Sequence, residues 1–102
     1  MNFEISIIIP AYNESKNIIE ILDKIQKFFL ENTLLKNTVE IIIVNNGSND
    51  DTDKTVRSHY LFKNKIISYL FLKKNNGYGA GIIQGLNTAK GKIISWTHAD
   101  NQ

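Results

Sequence analysis

Two spacings of apolar residues alternate along the chain, and they define its elements. Ile5 to Ile9 is a short, nearly unbroken run of mostly β-branched apolar residues that stops at Pro10, the pattern of a strand buried on both faces of a parallel sheet. Beyond Asn13 the period lengthens: Ile18, Leu22, Ile25 and Phe29 recur at helical spacing, with Lys16, Glu20, Asp23 and Lys27 on other faces. This predicts an amphipathic helix over Ser15 to Leu30. Val39 to Val44 is a second apolar run, followed by the turn-rich stretch Asn45-Asn46-Gly47-Ser48-Asn49-Asp50, and Ser48 and Asp51 have capping-box spacing for the next helix. That helix should run through Thr55, Val56 and Tyr60, and Ile66 to Leu72 reads as a third strand. Gly77-Tyr78-Gly79-Ala80-Gly81 opens another helix carrying Ile82, Ile83, Leu86 and Ala89, with Gly91 as its C-cap. Lys92 to Thr97 is the fourth strand and leads into His98-Ala99-Asp100-Asn101-Gln102.

The order βαβαβαβ, without repeat or linker, predicts an α/β fold with a Rossmann-like parallel sheet. Right-handed crossovers would bring the carboxyl ends of all the strands to one edge, where open α/β sheets bind their ligands. Three polar loops follow strands there: Pro10 to Glu14, Asn45 to Asp50, and His98 to Gln102.

Composition narrows the chemistry. Twelve Lys+Arg against ten Asp+Glu leave a formal charge of +2, and the lysines are scattered, so there is no basic stripe for a nucleic-acid backbone. With no cysteine among 102 residues, disulfides, thiolate catalysis and cysteine-ligated zinc are excluded; a cytoplasmic location is compatible. No apolar run approaches the roughly 20 residues of a membrane span. At this length the chain is one domain at most, small for an enzyme on a parallel sheet.

Each loop has an ordinary explanation beside a functional one. Pro10-Ala11-Tyr12-Asn13-Glu14 offers a ring that could stack on a base and a carboxylate that could accept a ribose hydroxyl, or is merely a turn with Asn13 as helix N-cap. Asn45-Asn46-Gly47-Ser48 is equally a plain turn. The glycines at 77, 79 and 81 follow the third strand rather than the first, and no acidic strand end lies about 20 residues on, which argues against a dinucleotide fingerprint. They read instead as tight helix-to-sheet packing. Asp100 and Gln102 alternate in an extended segment, so both should point into the crevice. One carboxylate and one amide oxygen suit Mg²⁺ or Mn²⁺ held mainly by substrate phosphates.

Taken in order, these segments resemble family 2 glycosyltransferases along essentially the whole chain. Pro10, Tyr12, Asn13 and Glu14 match the family's Pro-x-Tyr-Asn-Glu. Asn45-Asn46-Gly47-Ser48-Asn49-Asp50-Asp51-Thr52 stands where it has Asp-Asp-Gly-Ser-x-Asp-x-Thr. Asn75 to Gly77 and Ala89-Lys90-Gly91 match its glycine segment and later Ala-x-Gly, and His98-Ala99-Asp100-Asn101-Gln102 stands at its Asp-x-Asp, which in polyprenyl-phosphate sugar transferases often continues to Gln.

The resemblance implies a GT-A fold incomplete at its C-terminus, with residues 1–102 as the nucleotide-sugar-binding half of one glycosyltransferase domain. It implies transfer of a sugar, with inversion, from a nucleotide diphosphate to a lipid phosphate such as a polyprenyl phosphate, or to a glycan, at the cytoplasmic face of a membrane. Pro10, Tyr12, Glu14, Asn45, Asn46, His98, Ala99 and Asp100 would bind the nucleotide, and Asp100 and Gln102 the Mg²⁺ or Mn²⁺. Catalytic residues are expected beyond Gln102. Two departures stand out: asparagines at 45 and 46 in place of aspartates, which puts the base preference in question, and His98 at the first aspartate of the metal motif, which removes a negative charge. They keep open a nucleotide-sugar-binding module that no longer transfers sugar; a nucleotidyltransferase is a further alternative, although Pro10 to Glu14 lacks its glycine- and arginine-rich loop.

Overall fold

The computed structural model of the protein describes residues 3–74 and 78–96, and the side chains of 3–74 and 79–92. His98, Ala99, Asp100 and Gln102 lie outside the described residues, as do Asn75 to Gly77. Strands β1 (Ile5–Ala11), β2 (Val39–Asn46), β3 (Ser68–Leu72) and β4 (Ile93–Trp96) form one sheet in the order β3-β2-β1-β4. Every pair is parallel, with Ile5 opposite both Val39 and Ile93, and Ile42 opposite Ser68. The α/β architecture expected from the apolar periods is therefore present.

Alternation along the strands divides the core between two faces. Ile9, Ala11, Ile41 and Ile43 face helix α1 (Ser15–Glu31) and the short helices α2 (Thr52–Ser58) and α3 (Tyr60–Lys63), packing with Ile18, Leu22, Phe29, Val56 and Leu61. Ile8, Ile42 and Val44 face the other way, with Leu70, Leu72 and Ala89. Helix α4 (Tyr78–Thr88) covers that second face.

Its contact is made with small residues rather than large ones. Gly81 lies against Val44 and Asn46, and a Cβ at Gly85 would stand 2.5 Å from Ile8 Cγ2. Ile83 and Leu86 are exposed, and Gly79, read from the sequence as a tight packing residue, has open space where a Cβ would stand: on the 3.6-residue period Gly81, Gly85 and Ala89 share one stripe, and the helix sits too close to the sheet there for larger side chains.

Other local expectations also change. Pro10 lies within β1 rather than ending it, opposite Val44 of β2. The second helix is broken at His59, whose extended ψ of 148° separates α2 from α3. His59 Nδ1 accepts from the Leu61 N–H and starts α3, so Nε2 carries the proton and donates to Asp23 of α1 at 2.8 Å. Gly91 is not a C-cap, since α4 ends at Thr88. It is a point of close approach: a Cβ there would meet Ser6 N at 2.5 Å and Ile5 C at 2.7 Å.

This amino end of the sheet carries a buried polar clamp. Ser6 Oγ donates to Glu40 Oε1 at 2.8 Å, the Lys90 N–H donates to the same oxygen at 2.8 Å, and the Gly91 N–H donates to Ser6 Oγ at 2.7 Å. Ser6 is fully buried and Glu40 nearly so. β1, β2 and the segment entering β4 are thereby joined through one carboxylate oxygen and one hydroxyl.

Candidate functional site

At the carboxyl end of the sheet the loops after β1 and β2 are tied together side chain to backbone. Asn13 has φ 51°, a left-handed conformation that asparagine tolerates better than most residues. This conformation turns its Oδ1 toward the next loop, where it accepts from Asn49 N at 2.8 Å and Asp50 N at 3.3 Å. In return Ser48 Oγ accepts from Asn13 N and Thr52 Oγ1 from Glu14 N, both at 2.9 Å. Asn13 is thus a tie between loops and not the helix N-cap, which is Glu14 without a side-chain cap bond. Ser48 does not form a capping box with Asp51 either: its oxygen is used by Asn13, and Asp50 Oδ1 accepts from Thr52 N at 2.9 Å instead.

Asp50 has a carboxyl pKa below the ordinary value. The largest single influence, burial, would raise it, but hydrogen bonds from the side chain and backbone of Thr52 and from Ser15 together outweigh it.

Asn45 and Asn46 were expected in a turn but are the last residues of β2, and the pleat sends them to opposite faces. Asn46 is on the α4 side, its side chain in contact range of Gly81. Asn45 is completely buried on the α2 side. There its Oδ1 accepts from Ser48 N at 3.0 Å and its Nδ2 donates to Tyr69 Oη at 2.9 Å. Tyr69 Oη donates in turn to Asp53 Oδ1 at 2.7 Å, and Arg57 Nε donates to the same oxygen at 2.8 Å. The Arg57 guanidinium also lies 5.3 Å from the Tyr69 ring centroid and 5.7 Å from that of Phe62, within cation–π range. Burial, followed by the hydrogen bond to Asp53, pushes the Tyr69 hydroxyl far above the usual phenol range, so it stays a neutral donor.

The structure therefore brings Pro10, Tyr12, Glu14, Asn45 and Asn46 to one end of the sheet. Pro10 is buried, Glu14 half-buried, and the Tyr12 ring is 41% exposed at the mouth. Among the described residues no group of three His, Cys, Asp or Glu side chains is placed to hold a metal. The expected ligands Asp100 and Gln102 lie outside them. The carboxyl-terminal part of the described β4 lies toward this same end, Trp96 pairing with Ile8.

Sequence reasoning missed Asp50 and Thr52 as ties, and Tyr69, Asp53 and Arg57 altogether. The Ser-x-Asp-x-Thr spacing over Ser48, Asp50 and Thr52 was a visible signal for the first pair. Nothing in the spacing of the other three, on two different elements, announces that they meet.

Comparison with known proteins agrees with this geometry. The profile of Glycosyl transferase family 2 matches residues 6–102. A dolichyl-phosphate beta-glucosyltransferase of Trichomonas vaginalis is 41% identical over 91% of this chain, and one of Dictyostelium discoideum 39% over 97%. A mannosyltransferase from Pyrobaculum calidifontis, solved in complex with GDP-Man and Mn²⁺, superposes with a TM-score of 0.80 at 25% identity over 98% of the chain. This chain spans 28%, 31% and 28% of those three proteins.

Proposed function

The chain belongs to glycosyl transferase family 2 and has the family's GT-A fold, and from that premise we propose that it forms the donor-binding part of a sugar transferase acting on a polyprenyl-phosphate acceptor. The donor is a nucleotide-diphosphate sugar, and transfer is metal-assisted and inverting. The observation that carries this reading is the knitted pair of loops at the carboxyl edge. Eight consecutive positions, Asn45 to Thr52, supply four side chains that tie the β2 loop to itself and to Asn13, Glu14 and Ser15. Such a network holds a binding edge rigid before the ligand arrives, which lowers the ordering cost of binding.

In this reading the exposed Tyr12 ring packs on the base, Pro10 sets the path of the chain toward it, and Glu14 accepts a ribose hydroxyl. Asn46, on the α4 face, contributes to base selection, and an amide there can donate as well as accept where a carboxylate only accepts. Asp100 and Gln102 are the metal ligands, with His98 and Ala99 beside the diphosphate. Their oxygen donors fit Mg²⁺ or Mn²⁺. When bound, the cation lowers the charge cost of the departing nucleotide diphosphate. The acceptor assignment rests on the two relatives whose names specify dolichyl phosphate. No helix among the described residues is long and apolar enough to cross a membrane.

Calorimetric titration of the full-length protein with UDP, GDP and CDP, in Mn²⁺ and then in chelator, tests the reading. Affinity should rise with Mn²⁺, Asp100→Asn should remove most of that gain, and His98→Asp should increase it. Asn46→Asp should reorder the three nucleotides. Equal affinity with metal and with chelator would instead favour a nucleotide-binding module without transfer.

A further inference from the structure

The chain Ser48–Asn45–Tyr69–Asp53–Arg57 has a direction that proton accounting settles. Asp53 accepts from both Tyr69 Oη and Arg57 Nε through the same oxygen. A phenol has a single proton, so with that proton directed at Asp53 the Tyr69 oxygen can only accept from its other neighbour. That neighbour is Asn45 Nδ2 at 2.9 Å. The amide is therefore oriented with Oδ1 toward the Ser48 N–H at 3.0 Å. A flipped amide would set oxygen against the phenol oxygen and N–H against N–H, two repulsive contacts in a fully buried place.

We propose that Asn45 is a positioning residue that holds the Gly47–Ser48 turn in its binding geometry, and that the orientation of this relay requires an amide at 45 because Asp53 takes the Tyr69 proton. The link to function rests on the donor-binding reading above. Ser48 is the next step outward, since its Oγ accepts from Asn13 N and its own N–H is fixed by Asn45. An aspartate at 45 would leave two carboxylates competing for one phenolic proton. Because Asp53, held by Arg57, keeps the Tyr69 proton, the new carboxylate faces a phenol oxygen with no proton to give, turns away and releases Ser48. The family's usual aspartate is thus incompatible with this particular Tyr69–Asp53 pair, whereas exchanging the two residues is not. With Asn45→Asp and Asp53→Asn together, Tyr69 donates to position 45 and accepts from the amide at 53. Net charge is unchanged, the two bonds of Tyr69 are kept with their directions reversed and the Ser48 N–H still donates to position 45, while Arg57, which shares that oxygen of Asp53 in the parent, gives up its half-exposed bond.

The experiment is a double-mutant cycle in the full-length protein with two readouts. One is amide hydrogen exchange at Ser48, which needs no ligand; the other is UDP and GDP affinity by calorimetry. Asn45→Asp should speed Ser48 exchange and weaken nucleotide binding by about tenfold each, the scale of one hydrogen bond to a charged group. The double variant should return both to within about twofold of the parent, a coupling that independent sites do not show. Unchanged exchange in Asn45→Asp, or a double variant as impaired as the single, overturns the proposal. If exchange follows the cycle while no nucleotide binds to any variant, the relay stands and the donor-binding reading fails. Should Asn45→Asp not fold, Tyr69→Phe replaces it: losing the acceptor for Nδ2 should speed Ser48 exchange, and an unchanged rate there also overturns the relay.

Discussion

The two ends of the sheet use the same bond, a side-chain oxygen accepting a backbone N–H, for opposite purposes. At the amino end Glu40 and Ser6 are strand residues, almost without exposure, and their oxygens hold the Lys90 and Gly91 amides so that β4 enters beside β1. At the carboxyl end the oxygens of Asn13, Ser48 and Asp50 sit on exposed or half-buried loop residues and hold one loop against another. Burial raises the cost of losing a partner, since an orphaned group inside cannot turn to water. The amino end should thus govern stability with little effect on the ligand, and the carboxyl end should govern ligand affinity with a smaller effect on stability.

Gly91→Ala should separate the ends most sharply. The new methyl carbon would lie 2.5 Å from Ser6 N and 2.7 Å from Ile5 C, and backbone on that side cannot rotate away as a side chain could. We expect a loss of about 3 kcal/mol, at the upper end of overpacking costs, read by chemical denaturation of the full-length protein. Nucleotide affinity of the remaining folded protein should stay unchanged.

Glu40→Ala comes next. It removes the acceptor shared by Ser6 Oγ and the Lys90 N–H, with an expected cost of about 2 kcal/mol for the stranded donors. Glu40→Gln keeps an acceptor oxygen and should recover most of it. A change in nucleotide affinity comparable to the stability loss would break the division between the ends.

The same contrast explains what could be read in advance. Every strand was placed because buried parallel strands leave apolar runs, and α1 was placed within a residue because its stripe from Ile18 to Phe29 is long and regular. Of the glycines read as packing residues, Gly81 does lie on the sheet side, but Gly79 has open space where a Cβ would stand, Gly77 lies outside the described residues, and the closest approach, at Gly85, was not foreseen, since periodicity alone does not say which stripe meets the sheet. The site was legible at Pro10, Tyr12, Glu14, Asn45 and Asn46 because each follows a strand. Its internal logic was not. Asn45 and Asn46 look interchangeable in sequence, yet β2 runs through both and the pleat turns them apart. Tyr69, Asp53 and Arg57 meet only after β3 pairs with β2 and α2 packs above it, a result of topology that no local spacing encodes.

Asn13 tests the carboxyl end. Asn13→Ala removes the acceptor for two backbone donors and places alanine at φ 51°, for an expected cost of about 1–2 kcal/mol. Asn13→Gly removes the same acceptor without the conformational cost and should be milder in denaturation. If the loop tie prepares the site, both variants should lose nucleotide affinity to a similar extent. Loss in the alanine variant alone would mean that backbone conformation, not the tie, matters for the ligand.

The smallest effect expected is the acid response of Asp50. Its carboxyl pKa is lowered in the folded protein because hydrogen bonds from Thr52 and Ser15 outweigh burial. A depressed folded value means that the carboxylate contributes stability above the unfolded pKa, near 3.9 for aspartate, and that this contribution is lost as pH falls through the lower folded value. Neutral pH should therefore show no Asp50-dependent change, and the response should be confined to the region below about pH 4. Being exposed, the group is screened by water and salt, so stability should move little while local order moves more. An NMR titration following the Asp50 carboxyl carbon together with the Thr52 and Ser15 amides should give one common midpoint below the ordinary aspartate value. Asp50→Asn should abolish that titration at both amides. A midpoint at or above the ordinary value would remove Asp50 from the tie, leaving Asn13, Ser48 and Thr52 to hold the two loops together.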